Sequence, residues 1–225
     1  EPKEPRPSKR RVILEETSEG WKDCCKLDVE EHSKRGVVTI GMANQGMDDA
    51  SAKCWCSWMS RQFSTAKKQY GVKSWHAATL DFSGNSLGAE GLLEICWLMR
   101  KHHVKCDEFL LAENRIDDDG LWELTKHMTS SEGPVRALDL SKNEVTMMGL
   151  FWLLASIAIH PYYPLEEPES GRFIPLWLQL AGNRIAEQEV EEFIASETFQ
   201  ELPCAVCFAS EQCSYDDNCS EACLQ

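Results

Sequence analysis

The C-terminal segment contains a run of cysteines whose spacing could bind a metal ion. The run reads C-x2-C-x5-C-x5-C-x3-C from Cys204 to Cys223. Because tetrahedral zinc sites use C-x2-C pairs as thiolate ligands, the weak metal candidates are Cys204, Cys207, Cys219 and Cys223. The full spacing matches no familiar zinc module, and the segment has no histidine. Disulfides are a second interpretation, and free thiols that cap the end of the fold are favoured over both, so we predict no bound metal.

No common catalytic motif stands out elsewhere. The chain lacks the P-loop, the G-x-G-x-x-G turn and the H-E-x-x-H zinc motif. With 37 acidic residues in the chain, chance pairs of carboxylates are expected and do not indicate an active site. We predict a protein that is not an enzyme and uses no cofactor.

Asparagine recurs at fixed spacing, which indicates a structural role for this polar residue. It occupies the sixth place of four similar phrases, "LDFSGNSL", "FLLAENRI", "LDLSKNEV" and "LQLAGNRI". These asparagines are Asn85, Asn114, Asn143 and Asn183, at steps of 29, 29 and 40 residues. We predict a ladder in which each amide bonds backbone groups of its own turn and of the next copy, groups that would otherwise be buried without partners.

Each phrase is expected to form a strand that precedes a helix. The L-x-L alternation predicts a short strand with one buried face. Apolar residues then follow at helical spacings of three, four and seven. One strand and one helix cannot bury their apolar faces alone, so the copies must stack around a continuous core. A weaker upstream copy places Ile40, Met42 and Met47 at the buried positions and Gln45 in place of asparagine.

The pattern L-x-L-x-x-N-x-[LIV]-x-x-x-G-[LV]-x-x-[LI] resembles the leucine-rich repeat family, and its period near 29 resembles the ribonuclease-inhibitor-type subclass. The resemblance covers about residues 37–197. It implies an α/β solenoid with a curved parallel sheet inside and helices outside. About five repeats are expected, with atypical ends and cores starting near 38, 78, 107, 136 and 176. Ser51 and Glu189 depart from the pattern, since they replace its glycine in the first and last copies.

Three regions follow from composition. Residues 1–20 are expected to form an extended basic and Pro-rich arm, residues 21–197 the repeat domain, and residues 198–225 an acidic Cys-rich tail. A capping helix over residues 21–36 is predicted to open the repeat domain. The net charge of −14 argues against nucleic acid as a partner except through the arm. No apolar run reaches the length of a membrane span.

Strand positions between the buried leucines are expected to lie on the concave side, where the resembled family commonly binds proteins. The residues predicted to bind a partner there are Thr79, Asp81, Ser83, Glu108, Leu110, Asp139, Ser141, Trp177 and Gln179. Their acidic members would suit a basic partner segment. The alternative interpretation is an inner face covered only by solvent.

Helix positions beyond the buried set provide a second candidate surface on the convex side. Leu93, Trp122 and Phe151 share one column at the 29-residue step, with Met148 and Trp152 nearby. Packing between neighbouring helices is the competing interpretation of these residues. The Pro-rich loop before the last copy adds Tyr162 and Tyr163, so the residues predicted to bind a partner here are Trp122, Phe151, Trp152, Tyr162 and Tyr163.

The leading functional hypothesis is a non-catalytic protein–protein interaction module or assembly subunit with one or more protein partners. An enzyme regulator, similar to ribonuclease inhibitors or to activators of small GTPases, is an alternative in which Arg115, Asn183 and Arg184 would contact the enzyme. A third interpretation is the targeting domain of a longer enzyme. Because the chain begins with Glu1 rather than methionine, we also expect that a segment upstream has been removed. The odd count of eleven cysteines predicts mostly reduced thiols and an intracellular protein.

Overall fold

Strands and helices alternate along most of the chain in the computed structural model. The structure describes residues 9–17, 20–30, 33–131, 133–163, 165–166, 173–196, 206–208 and 223–224. The helices are α1 (Trp21–Cys24), α2 (Asp49–Tyr70), α3 (Ala89–His102), α4 (Asp118–Ser130), α5 (Met147–Ala158) and α6 (Glu187–Ile194). The strands are β1 (Lys9–Arg11), β2 (Cys25–Glu30), β3 (Arg35–Gly41), β4 (Ser74–Asp81), β5 (Val104–Leu110), β6 (Ala137–Asp139), β7 (Leu165–Glu166), β8 (Phe173–Ile174), β9 (Leu176–Gln179), β10 (Val206–Cys207) and β11 (Cys223–Leu224).

One sheet runs through the described residues in the order β1-β2-β3-β4-β5-β6-β9-β10-β11. Its inner strands, from β3 to β10, pair in parallel. The outer strands at both ends pair antiparallel. Strands β7 and β8 form a separate two-stranded hairpin. Because each inner strand from β3 to β9 is followed by a helix, helices α2, α3, α4 and α5 pack side by side in chain order.

The register of the parallel strands follows the repeated phrase. Ile40, Leu80, Phe109, Leu138 and Leu178 are aligned across neighbouring strands. All five side chains are buried. This is the alignment expected if every phrase starts at the same point of its unit, and it places one apolar side chain per strand in a continuous core.

The turn after each strand uses a left-handed residue at the fifth place of the phrase. Gly84 and Gly182 have φ values of 68° and 76°, and Glu113 and Lys142 adopt 57° and 54°. Glycine adopts this conformation without steric penalty, whereas other residues rarely do. At Gly84 a side chain is also excluded by space, since a Cβ atom would lie 2.2 Å from Asn44 Oδ1.

The predicted capping helix over residues 21–36 is wrong over most of its length. Helix α1 ends at Cys24, and the chain then forms the β2–β3 hairpin. Cys25, Leu27 and Val29 are buried and alternate with more exposed residues. That period of two is a strand pattern, and pairing with β3 covers the edge of the parallel sheet.

The described part of the N-terminal arm lies along this hairpin. Strand β1 pairs with β2, and Arg11 Nη2 donates to Asp28 Oδ2 at 3.2 Å. Val12 and Leu14 are buried, and the Glu15 backbone nitrogen donates to Gln62 Oε1 at 3.1 Å. Residues 9–15 are therefore fixed against the first strand–helix unit, while residues 1–8 lie outside the described part.

Helices α2 to α5 begin at capped turns, and the cap of α3 comes from the preceding helix. Asp49 Oδ1, in α2, accepts hydrogen bonds from the backbone nitrogens of Gly88 at 2.7 Å and Gly91 at 3.0 Å, at the start of α3. Gly88 itself has no side chain to cap α3. A Cβ atom at Gly91 would lie 2.5 Å from the same carboxylate oxygen, so glycine at this place of the repeat lets the carboxylate approach.

Among the described helices, none is both long and apolar enough to cross a membrane.

Candidate protein-docking surface

The repeated asparagines fix the turns that carry the sheet residues. Asn114 Oδ1 accepts from Leu87 N at 3.0 Å, and its Nδ2 donates to Phe82 O at 3.0 Å and to Leu111 O at 3.1 Å. The other three asparagine side chains accept equivalent hydrogen bonds: Asn85 from Met47 N at 2.9 Å, Asn143 from Ile116 N at 2.9 Å and Asn183 from Val145 N at 3.0 Å. The bonded neighbour is thus the preceding copy, whereas the sequence led us to expect the next one. The reason lies in the residue two positions after the sixth place of each phrase. Its backbone N–H has no partner in its own copy, and the asparagine side chain of the following copy reaches it.

The sheet face predicted to bind a partner has polar groups that mostly bond one another. Asp81 Oδ1 accepts from Ser83 N at 3.0 Å, and Asp139 Oδ1 accepts from Ser141 N at 2.9 Å. Thr79 Oγ1 donates to Glu108 Oε2 at 2.8 Å. Leu110 and Gln179 are half-buried in the same face, and Gln179 Oε1 accepts from Leu180 N at 3.0 Å. This face is polar and acidic, and its carboxylates already have hydrogen-bond donors.

Two residues predicted to bind a partner belong to the interior instead. Trp177 and Tyr163 are each only 6% exposed. The Tyr163 hydroxyl donates to Val135 O at 3.0 Å and accepts from Val135 N at 2.8 Å. Burial raises the pKa of Tyr163 above that of a free phenol. Both rings are buried because a large aromatic side chain stabilises the fold most when it is covered, so neither presents a surface to a partner.

The helix side of the domain carries large apolar side chains that the core does not cover. Trp122, Phe151 and Trp152 are 43%, 37% and 41% exposed. The Trp122 and Trp152 ring centres lie 6.1 Å apart in an edge arrangement across α4 and α5, and Phe151 meets Phe193 of α6 at 6.1 Å. These rings contact each other across neighbouring helices while their outer faces remain open to solvent.

Trp97 extends this surface onto α3 and was missed by the sequence reasoning. It is 48% exposed, and Lys101 Nζ lies 4.5 Å from its ring centre. The signal was present, since Trp97 follows the exposed Leu93 by four residues and so shares its helix face. The exposed apolar set, called here the aromatic helix surface, consists of Leu93, Trp97, Trp122, Met148, Phe151 and Trp152.

Carboxylates flank the aromatic helix surface. Glu90 and Asp119 are exposed one helical turn before Leu93 and Trp122, and residues 191 and 192 of α6 are exposed glutamates beside Phe193. Basic residues on these helices are partly neutralised, because Lys53 Nζ lies 3.7 Å from Glu94 and Lys126 pairs with Glu123. The surface therefore combines apolar rings with a border that is negative at the starts of α3 and α4 and beside Phe193, and that carries Lys101 at Trp97.

The other exposed large apolar side chains among the described residues are Ile13, Ile159 and Tyr162. Tyr162 is exposed and its ring lies 5.2 Å from that of His160 at the start of the Pro-rich loop, while the loop residues 164 and 167–172 lie outside the described part. Arg184 pairs with Glu144, and the Asn183 amide is bound within its turn. Arg115 is exposed. Nothing in this arrangement groups Arg115, Asn183 and Arg184 into one contact.

Most of the described thiols are buried, while Cys24 is half-buried and Cys54 is exposed. Burial raises the pKa of Cys25 and of Cys96 to about 12, and it also raises the pKa values of Cys56 and Cys106. Such thiols stay protonated and react poorly. Within the described residues, no group of histidine, cysteine and acidic side chains is arranged to hold a metal ion. Two of the four weak metal candidates in the tail, Cys204 and Cys219, lie outside the described residues.

Two serines resemble catalytic arrangements without completing one. Ser60 Oγ lies 2.9 Å from His102 Nε2 and accepts from Lys101 Nζ at 3.1 Å, but Ser60 is only 9% exposed in the contact between α2 and α3. The expectation that no common catalytic motif occurs is wrong for one spacing, since residues 84–88 fit G-x-S-x-G, which is found at hydrolase nucleophiles. No hydrogen bond joins Ser86 Oγ to a histidine in the part of the chain that the structure describes, so that serine has no base.

Comparison with known proteins agrees with the repeated pattern. Residues 79–96, which include the end of β4, the Asn85 turn and the first half of α3, match a family model described as a leucine-rich repeat. No curated protein matches the chain. The match supports a leucine-rich repeat protein, a family that is generally non-catalytic.

Proposed function

We propose that this chain is a non-catalytic protein-interaction module that binds a partner protein through the aromatic helix surface. Leucine-rich repeat domains commonly mediate protein–protein interaction. The observation that carries the proposal is the exposure of three tryptophans, a phenylalanine, a methionine and a leucine on three adjacent helices. Contiguous apolar patches on a protein surface mark interaction sites, and tryptophan is enriched among residues that dominate binding energy.

The border of this surface favours a basic partner. Exposed acids flank the rings, and the whole chain carries a net charge of −14. A segment that presents apolar side chains in its middle and lysine or arginine at its edges would match both features. An amphipathic basic helix has this composition and docks through side chains spaced three and four residues apart. Opposite charges at the border would accelerate association and select against acidic partners.

The sheet face is proposed as a weaker, second contact. Asp81, Glu108 and Asp139 lie in neighbouring strands and surround Leu110, so a basic segment crossing the sheet would meet negative charge. These carboxylates already accept local hydrogen bonds. Their contribution to affinity is therefore expected to be smaller than that of the aromatic helix surface. Tyr162 adds an exposed ring at the loop.

We further propose how the chain is organised around this function. The repeat domain spans residues 21–197 in about five repeats of the ribonuclease-inhibitor type, with the sheet on its concave side. The helical second halves and the recurring 29-residue step support this. Residues 1–20 act as an arm and residues 198–225 as a tail. A rigid stack of this kind loses little conformational entropy when it docks.

Site-specific crosslinking tests which surface binds. A photoreactive residue replaces Trp122 in one sample and Leu110, on the sheet, in the matched control. We expect the sample with the probe at position 122 to crosslink a partner from native extract more efficiently than the control. The crosslinked segment should contain apolar residues bordered by lysine or arginine.

Affinity measurements with the identified partner then complete the test. Trp122→Ser and Trp152→Ser are each expected to weaken binding at least about thirtyfold, the effect of losing a central aromatic contact. Leu110→Ser should change it less than about threefold. Crosslinks only from position 110, or unchanged affinity in both tryptophan variants, would refute the proposal.

A further inference from the structure

The turns and helix ends that lead into β3, β4 and β5 carry exposed basic side chains. Because these strands pair in parallel, their starts lie at one edge of the sheet, opposite the asparagine turns. The set is called here the basic edge and consists of Lys34, Arg35, Lys67, Lys68, Lys73, Lys101 and His103, all of them exposed. Neither the aromatic helix surface nor the sheet face proposed above includes these residues.

Backbone hydrogen bonds hold the three turns side by side. Lys73 N donates to Lys34 O at 3.1 Å, and Trp75 N donates to His103 O at 3.0 Å. Neighbouring strands lie about 4.8 Å apart, so the row from Lys34 through Lys73 to His103 spans roughly 10 Å. An extended chain covers that length with about three or four residues.

The helix ends place further cations beside this row. Lys67 and Lys101 lie in the last turns of α2 and α3, which pack against each other. Burial, followed by the charges of Lys101 and Lys67, lowers the pKa of His102 to about 4. Both ammonium groups therefore lie close enough to act on the same imidazole. Positive charge thus continues from one helix end to the next.

The balance of charge at the basic edge is positive, although the whole chain carries −14. Glu30, at the end of β2, is the described acid beside Lys34. Residues 31 and 132 are also glutamates and lie outside the described residues. Against the six lysines and arginines of the edge, these three acids leave an excess of three positive charges. Lys105 and Asp107, further along β5, already have bonding partners and are counted on neither side.

Five cations of the edge are not neutralised by neighbours. Lys34, Arg35, Lys67, Lys68 and Lys73 form no ion pair with any residue that the structure describes. The helix dipole favours cations in the last turn of a helix, which accounts for Lys67 and Lys68. It does not account for the other three, which lie in turns and at the start of a strand. An anionic partner would relieve the repulsion among these charges.

We propose that the basic edge binds an extended acidic segment of a partner protein, whose carboxylates pair with the row from Lys34 to Lys73 and with the lysines of the α2 and α3 ends. The backbone of this row is fixed by the sheet, so docking orders only the side chains. The edge meets the aromatic helix surface at Lys101, whose Nζ lies 4.5 Å from the Trp97 ring centre. A partner could therefore contact both surfaces.

The distribution of charge favours a short acidic segment over a nucleic acid. At physiological salt the field of an exposed charge is screened beyond about 8 Å, so a segment confined to the edge responds to the local positive charge. A nucleic acid that extends past the edge would meet the acidic remainder of the chain, which repels phosphates.

Fluorescence polarisation with a dye-labelled peptide of alternating glutamate and serine tests this proposal. We expect saturable binding at low salt and weaker binding at physiological salt, because exposed ion pairs are screened. The matched peptide with glutamine in place of glutamate should not bind. An oligothymidine of equal charge should bind more weakly than the glutamate peptide.

Charge reversal locates the contact. The double variant Lys68→Glu with Lys73→Glu should bind the glutamate peptide at least about tenfold more weakly. The matched control, Arg115→Glu with Lys142→Glu, makes the same change in net charge at exposed residues after β5 and β6, at the opposite edge. It should bind within about twofold of the parent protein.

Four results would overturn the proposal. They are no saturable binding of the glutamate peptide, equal weakening in the two double variants, tighter binding of oligothymidine, and salt-sensitive self-association that Lys68→Glu with Lys73→Glu abolishes. The last result, measured by sedimentation velocity, would assign the edge to a second copy of this chain instead of a partner.

Discussion

Asp118 Oδ1 accepts a 2.8 Å hydrogen bond from the backbone nitrogen of Thr146, so helix α4 supplies a cap for helix α5. Its second oxygen accepts from the Thr146 hydroxyl at 2.6 Å. The same carboxylate occupies the space above Gly149, where a Cβ atom would lie 2.3 Å from Asp118 Oδ1. Asp49 and Gly91 repeat this relationship between α2 and α3. The glycine in the first turn of each of these helices and the aspartate of the preceding helix therefore act together, because glycine leaves space for the capping carboxylate.

A double-mutant cycle at Asp118 and Gly149 measures the coupling free energy between the capping carboxylate and the glycine. Asp118→Ala alone should lower the free energy of unfolding by about 1 kcal/mol, the usual effect of losing a helix cap. Gly149→Ala alone should also destabilise, since its new methyl group displaces the carboxylate. In the Asp118→Ala background the same change should be neutral or stabilising by up to about 1 kcal/mol, because alanine is the better helix former. Urea unfolding of the four proteins gives the coupling, and strictly additive effects would contradict the prediction.

The asparagine turns lead to a second stability prediction. Asn114→Ala removes the acceptor for Leu87 N and the donor for Phe82 O and Leu111 O, all at a buried position. We expect a loss of about 3 kcal/mol in unfolding free energy, since each buried group left without a partner contributes roughly 1–3 kcal/mol.

Gln45→Ala is the matched control for this change. Gln45 stands at the same place in the first copy and is exposed, and its side chain donates to Ala43 O at 3.0 Å. Its replacement should change stability by less than about 0.5 kcal/mol. Similar losses in both variants, measured by chemical denaturation, would show that the bonds of Asn114 do not stabilise the turn.

The elements of the repeat were predictable because the phrase itself encodes them. Alternating leucines mark each strand, the asparagine marks its turn, and apolar residues at helical spacing mark the helix, so the alignment of Leu80 with Phe109 and Leu138 follows from sequence alone. The β2–β3 hairpin was not anticipated because it lies outside the repeat. Its alternation of Cys25, Leu27 and Val29 is short and was outweighed by the expectation of a capping helix.

The surfaces were less predictable because burial depends on neighbours that the sequence does not specify. Trp122 and Trp177 are similar in sequence terms, each next to a leucine of a repeat, yet one is exposed and the other buried. Arg100 and His127 are 27 residues apart, and each looks like an ordinary residue of a helix end. Only the packing of α3 beside α4 brings them together, with Arg100 Nη1 and both His127 ring nitrogens buried and without hydrogen bonds.

The aromatic helix surface should be dispensable for folding. Trp122→Ser and Trp152→Ser remove side chains that are about two-fifths exposed, so each should reduce the free energy of unfolding by about 1–2 kcal/mol, three-fifths of the effect of a fully buried side chain. Trp55→Ser is the matched core control, because Trp55 is fully buried and packs edge to face on Phe82 at 5.3 Å. It should lose about 3–5 kcal/mol. Guanidinium unfolding distinguishes the two classes, and equal losses would assign the exposed rings to the core.

His127 predicts how stability depends on pH. Its pKa falls from 6.5 to about 4 on folding, first because burial disfavours the charged ring and then because Arg100 repels it. As the pH is lowered from 6.5 to about 4, the unfolded chain therefore binds a proton that the folded protein does not. The free energy of unfolding decreases over this range. This group should contribute a loss of about 3 kcal/mol across that window. His127→Leu should flatten the dependence between pH 6.5 and pH 4 by that amount in urea unfolding series. Parallel pH profiles for the two proteins would show that folding does not lower the pKa of the ring.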